Sequence, residues 1–511
     1  MVAKVPDLMR VYTDPAVLGA ARSLCGPGCD LHPHRHAHIS VGNPESHLSP
    51  LSGWHKDPFF HEPHVRHKHT FHWVFALYFP QPTPLELGGT GILRNCHNLP
   101  GINHREAKVG WPAEGWPAPP VHESAAAELN NPVVCPAGTV AFIHMDSWCV
   151  TACAVPCWRC SCLTTPLHRH RTGSNITDKL KRYMLKFHYV RMQEPCVTGP
   201  TWAHDPSQRD WSPAALKDLT PRASKANWDW LCGGAPVSTE PAALGDVASL
   251  LADFDGPEPT RVDAAFALGE LARADASVVP ALMQKLRADG GPLAEEIAEG
   301  YAASIDPGFN PAALRAMNPA ESELSKALSA AGGAAVPALL EALEGSASEP
   351  WWVSSTAASV LGYIGNAAME ASAADQLRIA TALTAALSHE HLWVRRNAAD
   401  ALGVVVPTMH ELNGHSAAAA AIEGLAAIAV AEEEFLECEV VRLSAVTALA
   451  RLASLGLGTV GLAAVVHAMR ERRPDRLSLA TRHYAAAALR RDGSPAAIRG
   501  LVDGLMVSRW L

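Results

Sequence analysis

Residues 394–403 read Val394-Arg-Arg-Asn-Ala-Ala-Asp-Ala-Leu-Gly403, a phrase that recurs through the second half of the chain. Related phrases begin at Arg261 and Val441, and weaker copies occur at 353–362 and 481–489. Their apolar residues recur at three- and four-residue spacing, which is typical of helices with one buried face. The small residues in each copy predict helices that approach their neighbours closely.

The copies are spaced by roughly 40 to 47 residues, and this period resembles that of HEAT and armadillo repeats. The first interval is about two periods long and leaves room for one degenerate repeat near 293–301. We therefore predict an all-α HEAT/armadillo-like solenoid over residues 242–511, with a surface that binds a protein partner. An ordinary Ala-rich helical bundle is the alternative.

The first half of the chain has a β pattern. Short apolar runs at 71–79, 139–144 and 182–191 are separated by segments rich in Pro, Gly and His, without alternating helices. This pattern predicts a β-sandwich or jelly roll over residues 1–205. Residues 206–241 are predicted to be a linker whose Trp residues pack against the protein.

Composition excludes several classes of protein. The chain has 511 residues, with 42 Lys and Arg against 51 Asp and Glu, and it lacks the basic cluster of a nucleic-acid-binding protein. No apolar stretch is long enough to span a bilayer, and Pro6, Asp7 and Asp14 interrupt the N-terminus where a signal peptide needs an apolar core. The final Arg509-Trp-Leu511 differs from a Ser-Lys-Leu peroxisomal address. We expect a cytoplasmic chain without a membrane span.

The sharpest local motif is Gly53-Trp-His55-Lys-Asp57-Pro58. A His and a carboxylate two positions apart on an extended segment project from the same side, so both can reach one ion. A second His from elsewhere would complete a triad of two His and one carboxylate, which binds non-haem Fe(II) and leaves coordination sites open. The same pattern also fits a surface His beside a solvated Asp.

The surroundings of this motif resemble the phytanoyl-CoA dioxygenase family of Fe(II)/2-oxoglutarate oxygenases. The resemblance covers about residues 8–202, and the segments that carry it are 32–38, 53–57, 76–80, 88–91, 138–142, 175–178 and 182–187. It implies a double-stranded β-helix (jelly roll) with flanking helices, and a dioxygenase that hydroxylates a C–H bond of an organic substrate. It further implies Fe(II), 2-oxoglutarate as co-substrate, and ascorbate as an additional reductant.

The resemblance also implies roles for individual residues. His55 and Asp57 correspond to the first two iron ligands, and Arg182 to the cation that pairs with the distal carboxylate of 2-oxoglutarate. Arg suits this role because its planar fork makes two hydrogen bonds to a carboxylate. Thr90, within Gly88-Gly-Thr-Gly91, is a lesser candidate for contact with the oxo acid.

The third iron ligand depends on how one segment is interpreted. In the family a Trp-His pair precedes an Asn-x-Thr-Asp block, which begins here at Asn175. Trp148 and His170 form this pair if residues 149–169 are an insert, either a loop or a translated piece of intron. We therefore predict His170 as the third ligand, with His168 as second choice and His144 as third.

Two alternatives remain at this stage. The insert contains five Cys, whose irregular spacing makes a zinc site the less favoured interpretation; they are Cys149, Cys153, Cys157, Cys160 and Cys162. The chain could also be a catalytically impaired interaction protein that acts through its helical repeats. The sequence does not identify the substrate.

Overall fold

The fold was analysed on a computed structural model. The residues that it describes are 7–26, 28–31, 36–41, 73–93, 98, 130–144, 149–150, 177, 180–195, 220–231, 245–289, 291, 322–345, 348–365, 371–413, 415–431, 436–470 and 476–507. They group into two compact units. The described residues of the first unit lie between 7 and 192 and at 220–224, and those of the second lie at 193–195 and between 225 and 507.

The first unit begins with two helices. Helix α1 comprises Asp7–Thr13 and helix α2 comprises Pro15–Cys25. The carboxylate of Asp14 accepts hydrogen bonds from the first backbone N–H groups of α2, and Pro15 at its first position has a φ angle suited to a helix start. The chain then turns into β structure, as the sequence predicts.

Five strands form the larger, antiparallel sheet of this unit: β1 (Asp30–Leu31), β2 (His36–Val41), β3 (Trp73–Phe79), β6 (Thr139–His144) and β8 (Lys181–Val190). Strand β8 lies at its centre, with β3 on one side and β1 and β2 on the other. Strand β6 pairs with the free edge of β3. The three strands expected near 71–79, 139–144 and 182–191 are thus confirmed.

Helices α1 and α2 cover one face of this sheet. Tyr12 and Cys25 pack there with Val74, Phe187 and Tyr189 in one buried apolar cluster. The hydroxyl of Tyr189 also donates a hydrogen bond to the carbonyl of Tyr12. Because side chains alternate along a strand, the even-numbered residues of β8 point to the opposite face.

Three short strands form the second sheet. They are β4 (Gly91–Leu93), β5 (Asn130–Pro132) and β7 (Cys149–Val150). In this sheet β4 lies between β5 and β7. Cys149 and Val150 are the first two residues of the predicted insert, so the insert begins inside a strand; its remaining residues, 151–169, lie outside the described part of the chain.

Helix α3 (Pro221–Leu231) lies within the predicted linker; its residues up to 224 belong to the first unit and the others to the second. Trp230 of this helix is buried, as expected. The helices of the second unit then follow in chain order: α4 Val247–Ala252, α5 Glu258–Ala274, α6 279–289, α7 Glu323–Ala330, α8 Val336–Glu344, α9 Trp351–Ile364, α10 Ala373–Ala386, α11 Leu392–Asn413, α12 His415–Val430, α13 Leu436–Leu452, α14 Gly458–Met469, α15 Arg476–Asp492 and α16 Pro495–Val507. The prediction of a helical second half is confirmed.

These helices pack in two layers. Helices α5, α7, α9, α11, α13 and α15 contact one another in succession, and α8, α10, α12, α14 and α16 do the same in the second layer. All five copies of the repeated phrase fall in helices of the first layer. Helix α7 contacts both α5 and α9 and so lies between them, whereas the degenerate repeat expected at 293–301 falls outside the described residues.

The glycine that ends the repeated phrase allows close helix packing. A Cβ atom added to Gly269 would lie 2.3 Å from the Cβ of Ala330 in α7. A Cβ atom added to Gly362 would lie 2.4 Å from the Cβ of Ala401 in α11. Since real Cβ atoms essentially never approach so closely, these contacts between neighbouring first-layer helices require glycine.

The recurring arginine of the phrase binds backbone carbonyl groups. The guanidinium of Arg261 donates to the carbonyl of Gly256 and forms an ion pair with Glu323, with an N–O distance of 2.9 Å. Arg442 donates to the carbonyl of Ala429, in the last turn of α12, at 3.0 Å. Carbonyl groups at a helix end have no partner within the helix, so this arginine completes their hydrogen bonding.

Among the helices that the structure describes, no single one is both long and apolar enough to cross a membrane.

Candidate functional site

The face of the larger sheet opposite α1 and α2 carries an unusual set of buried polar side chains. We call it the Arg182 face and define it by Arg182, Met184, Lys186 and His188 of β8 together with Phe75, Leu77 and Phe79 of β3. All seven side chains are buried. Burial of two cationic residues on one sheet face is rare, because charged groups lose their hydration there.

A tight turn of the second sheet reaches this face. Gly88 has a φ of 74°, in the left-handed region that favours glycine. A Cβ atom on Gly89 would lie 2.6 Å from the carbonyl oxygen of Val133, so the backbone passes too close for any other residue. Beyond the turn, the backbone N–H of Val133 donates to the carbonyl of Thr90. The geometry of this turn therefore favours glycine at position 88 and requires it at position 89.

The two sequence-predicted contacts for the oxo acid meet at this turn. The guanidinium of Arg182 donates a hydrogen bond to the carbonyl of Gly88. The Thr90 hydroxyl lies 3.4 Å from the sulfur of Met184, two positions along β8 on the same face. Arg182 and Thr90 are both almost fully buried, although they are separated by 92 positions in the chain. The structure therefore brings together a guanidinium and a hydroxyl, two donors suited to a carboxylate.

Further along β8, two more side chains flank an aromatic ring. The ammonium of Lys186 lies 3.8 Å from the centroid of the Phe75 ring, and the imidazole of His188 meets the same ring edge-on at 4.5 Å. Burial lowers the pKa of Lys186 to about 7. The sequence alone assigns no role to Lys186 or His188, although the alternation Arg182-x-Met184-x-Lys186-x-His188 places them on one face.

Strand β2 contributes to the same face. Its register pairs Ser40 with Arg182 and His38 with Met184. Directly paired residues of antiparallel strands point to the same side of the sheet. Ser40 is buried, whereas His38 is partly exposed.

The predicted iron ligands His55, Asp57 and His170, and the second choice His168, lie outside the described residues. His144 is described, and it pairs with Val74 on the face covered by α1 and α2, not on the Arg182 face. Within the described ranges, no three His, Cys, Asp or Glu side chains are grouped so that they could hold a metal ion. The described residues thus include the two side chains predicted to contact the oxo acid, whereas the three residues predicted to bind iron lie outside them.

The candidate zinc site is described only at its start. Cys149 lies in β7, opposite Ile92 of β4, and the other four Cys of the insert lie outside the described ranges. Cys149 directly follows Trp148. The family resemblance expects the second His ligand at this position, immediately after the Trp. In the chain as it stands, the strand position beside Ile92 therefore belongs to Cys149.

No protein-family model matches the chain, and a comparison with curated protein sequences returned no significant match.

Proposed function

We propose that the chain is a dioxygenase that depends on Fe(II) and 2-oxoglutarate and hydroxylates a C–H bond of an organic substrate. The observation that carries the proposal is the buried guanidinium of Arg182, which contacts the Gly88 turn close to Thr90. A guanidinium binds a carboxylate through two parallel hydrogen bonds, and a hydroxyl can donate another. This pair of side chains suits the distal carboxylate of 2-oxoglutarate.

In this proposal the two sheets of the first unit belong to a double-stranded β-helix. Their strand pairs are all antiparallel, as a jelly roll requires, and each sheet contributes one of the two donors. Arg182 belongs to the larger sheet, and Thr90 directly precedes β4 of the smaller one. A site built from both sheets is supported by this arrangement.

The metal part of the proposal rests on the family resemblance. His55, Asp57 and His170 would hold Fe(II), because two imidazoles and one carboxylate leave positions open for other ligands. When bound, the iron supplies the activation of dioxygen and of the oxo acid. The chain's own contribution is to orient 2-oxoglutarate through Arg182 and to exclude water with apolar residues such as Phe79 and Met184.

For the second unit we propose a HEAT-like repeat array that binds a protein partner. The two layers of helices and the recurrence of the phrase in the first layer support the repeat interpretation. We propose a protein partner because repeat arrays of this kind offer extended concave binding surfaces.

The experiment that tests the proposed function is a measurement of succinate formed from 2-oxoglutarate by the full chain with Fe(II) and ascorbate. We expect Arg182→Lys to raise the half-saturating concentration of 2-oxoglutarate by at least about tenfold, because Lys keeps the charge but loses the paired hydrogen bonds. The matched control is Arg191→Lys. Arg191 is also a buried arginine at the end of β8, and it donates to the carbonyl of Leu24 at 2.6 Å.

We expect Arg191→Lys to lower the melting temperature without changing the dependence on 2-oxoglutarate. If both variants change this dependence equally, Arg182 acts only on stability and the assignment of the oxo-acid site is wrong. If the folded, iron-loaded parent chain forms no succinate, the rival function as an interaction protein replaces the oxygenase proposal.

A further inference from the structure

Helix α16 of the second layer has two contrasting faces. Ala497, Gly500 and Gly504 lie on its buried face, and this face packs against α14. A Cβ atom added to Gly500 would lie 2.5 Å from a methyl carbon of Val466 in α14, and one added to Gly504 would lie 2.2 Å from the Cγ of Met469. The two glycines therefore allow α16 to approach its neighbour closely.

The opposite face of α16 is apolar and exposed. Ile498, Val502, Leu505 and Met506 are 53%, 53%, 49% and 84% exposed, and their spacing places them in one row along the helix. We call these four residues the α16 stripe. They are four of the twelve large apolar side chains that are exposed in the described part of the chain, so one helix of 13 residues carries a third of them. A contiguous exposed apolar row of this kind is typical of an interaction surface.

Two opposite charges lie along one edge of the α16 stripe. Arg499 follows Ile498 and Asp503 follows Val502, so each lies about 100° further round the helix than a stripe residue. Both charged side chains are exposed. This edge therefore carries a positive charge and, about one turn later, a negative charge. The pair is neutral overall, whereas a helix that binds a membrane surface is rich in Lys and Arg on its polar face.

We propose that the α16 stripe binds the α16 stripe of a second copy of this chain, with the two helices antiparallel about a two-fold axis near Val502. In such a pair each edge of one helix faces the same edge of the other in the reverse direction. Arg499 of each copy then lies beside Asp503 of the other, so both charges are matched. Ile498 of each copy lies opposite Leu505 of the other. A partner with a uniformly charged edge would attract one of the two charges and repel the other, so the charges favour a second copy.

The size of this surface predicts a weak, reversible dimer. A helix of 13 residues is about 20 Å long and about 10 Å wide, so one pair of helices covers much less than the roughly 800 Å² per partner of a standard complex. We therefore expect a dissociation constant on the order of 10 µM. The inference does not rest on the oxygenase function, because α16 belongs to the second unit.

The first test is sedimentation velocity of the full chain from about 1 to about 200 µM, a range that brackets the expected dissociation constant. We expect Leu505→Ser to weaken association at least about tenfold, because each dimer loses two buried leucines. The matched control is Leu377→Ser in α10, where the leucine is 42% exposed, and it should leave association unchanged. Met506→Ser is a second stripe variant, and circular dichroism checks that every variant is folded.

The second test exchanges the charges at the edge of the stripe. Arg499→Asp alone and Asp503→Arg alone should each weaken association at least about fivefold, because two pairs of unlike charges become two pairs of like charges. An equimolar mixture of these two variants should associate about as tightly as the parent chain, because the acidic edge of one then faces the basic edge of the other. This recovery requires antiparallel helices in contact and is not expected from a general effect of the variants on folding.

Four results would overturn the inference. A parent chain that stays monomeric throughout the concentration range would leave the stripe to a different occupant. Association that is equally strong in Leu505→Ser and Met506→Ser would place the contact elsewhere, and failure of both variants to fold would make the stripe a structural element of the unit. A mixture of Arg499→Asp and Asp503→Arg that associates no more tightly than either variant alone would exclude the antiparallel arrangement.

Discussion

Buried arginines occur in both units, and they have different surroundings. In the helical unit Arg261 and Arg442 occupy the same position of a repeated phrase, and each binds a backbone carbonyl near the start or end of a helix. In the sheet unit Arg182 has no repeated equivalent and shares its face with Lys186 and His188. An arginine that recurs in four of the five copies of the phrase serves the packing that recurs there. An arginine that occurs once, with other buried polar groups, is the better candidate for a ligand site.

The largest expected effect concerns the site of the first unit. We expect His55→Ala and Asp57→Ala each to lower the rate of succinate formation by more than about 100-fold, because changes to residues that merely support a ligand already cost 10- to 100-fold. The second unit should remain folded, since it has its own core. His467→Ala, an exposed His of α14, is the control and should leave the rate unchanged. Full activity in either ligand variant would remove the predicted iron site.

The helical unit also contains a buried carboxylate, which can be compared with the buried cations of the sheet unit. Asp400 lies in α11, and burial raises its pKa to about 7 despite the charges of Arg396 and Arg451, which lower it. The folded state therefore holds the proton of Asp400 more tightly than the unfolded chain, so this residue lowers stability as the pH rises from about 4 to 7. The penalty is complete above pH 7, and its upper bound is about 4 kcal/mol, because a tenfold change in proton affinity is worth about 1.4 kcal/mol.

We expect Asp400→Asn to raise the free energy of unfolding at pH 8 by about 1–3 kcal/mol and to have little effect near pH 4, since the carboxyl is then already neutral. Denaturant unfolding at the two pH values measures this difference. A variant that is less stable than the parent at pH 8 would show that the ionised carboxylate is stabilised by Arg396 and Arg451, and the sign of this prediction would be wrong.

Two glycines in helices of the two units should respond in opposite directions to the same substitution. Gly362→Ala should lower the free energy of unfolding by about 1–3 kcal/mol, because the added methyl group overlaps Ala401 and forces α9 and α11 apart. Gly19→Ala in α2 should instead raise it by about 0.5–1 kcal/mol, because no atom lies within 4 Å of the new methyl group and alanine favours the helix. Equal responses in thermal unfolding would contradict the packing role of the repeated glycine.

The sequence predicted the helical unit better than the sheet unit for a physical reason. A helix is defined by residues three and four positions apart, so each copy of the repeated phrase predicts its own helix. A sheet face depends on pairing between distant segments. Strand β8 was predicted within one residue at each end, yet the partnership of Phe75 with His188 follows only from the register between β3 and β8. The aromatic contact of Lys186 was missed for the same reason.

The candidate site, like the sheet, was predicted only in part from the sequence. The resemblance selected Arg182 and Thr90, and the structure brings the segments of both to one face. It also named His144 as a third choice for iron, and the register of β6 places that residue on the opposite face. The roles of His55, Asp57 and His170 remain predictions, because these residues lie outside the described ranges.

The last prediction concerns the predicted insert, and it depends on strand register. Cys149 pairs with Ile92 in β7, immediately after Trp148. Deletion of 149–169 would join Trp148 to His170 and place His170 in the position of Cys149, where the resemblance expects the second His ligand. We therefore expect this variant to form succinate at least as fast as the full chain.

Deletion of 151–169 alone is the matched control, because it keeps Cys149 and Val150 and moves His170 two positions further along the strand. A shift of two residues preserves the face but displaces the side chain by about 7 Å, far more than the roughly 1 Å misplacement that already costs about 100-fold in rate. The longer deletion should therefore be active and the shorter one inactive. Activity of the full chain combined with loss of activity in the longer deletion would mean that residues 149–169 themselves contribute to the site, with His168 and the Cys residues as the first candidates to replace one by one.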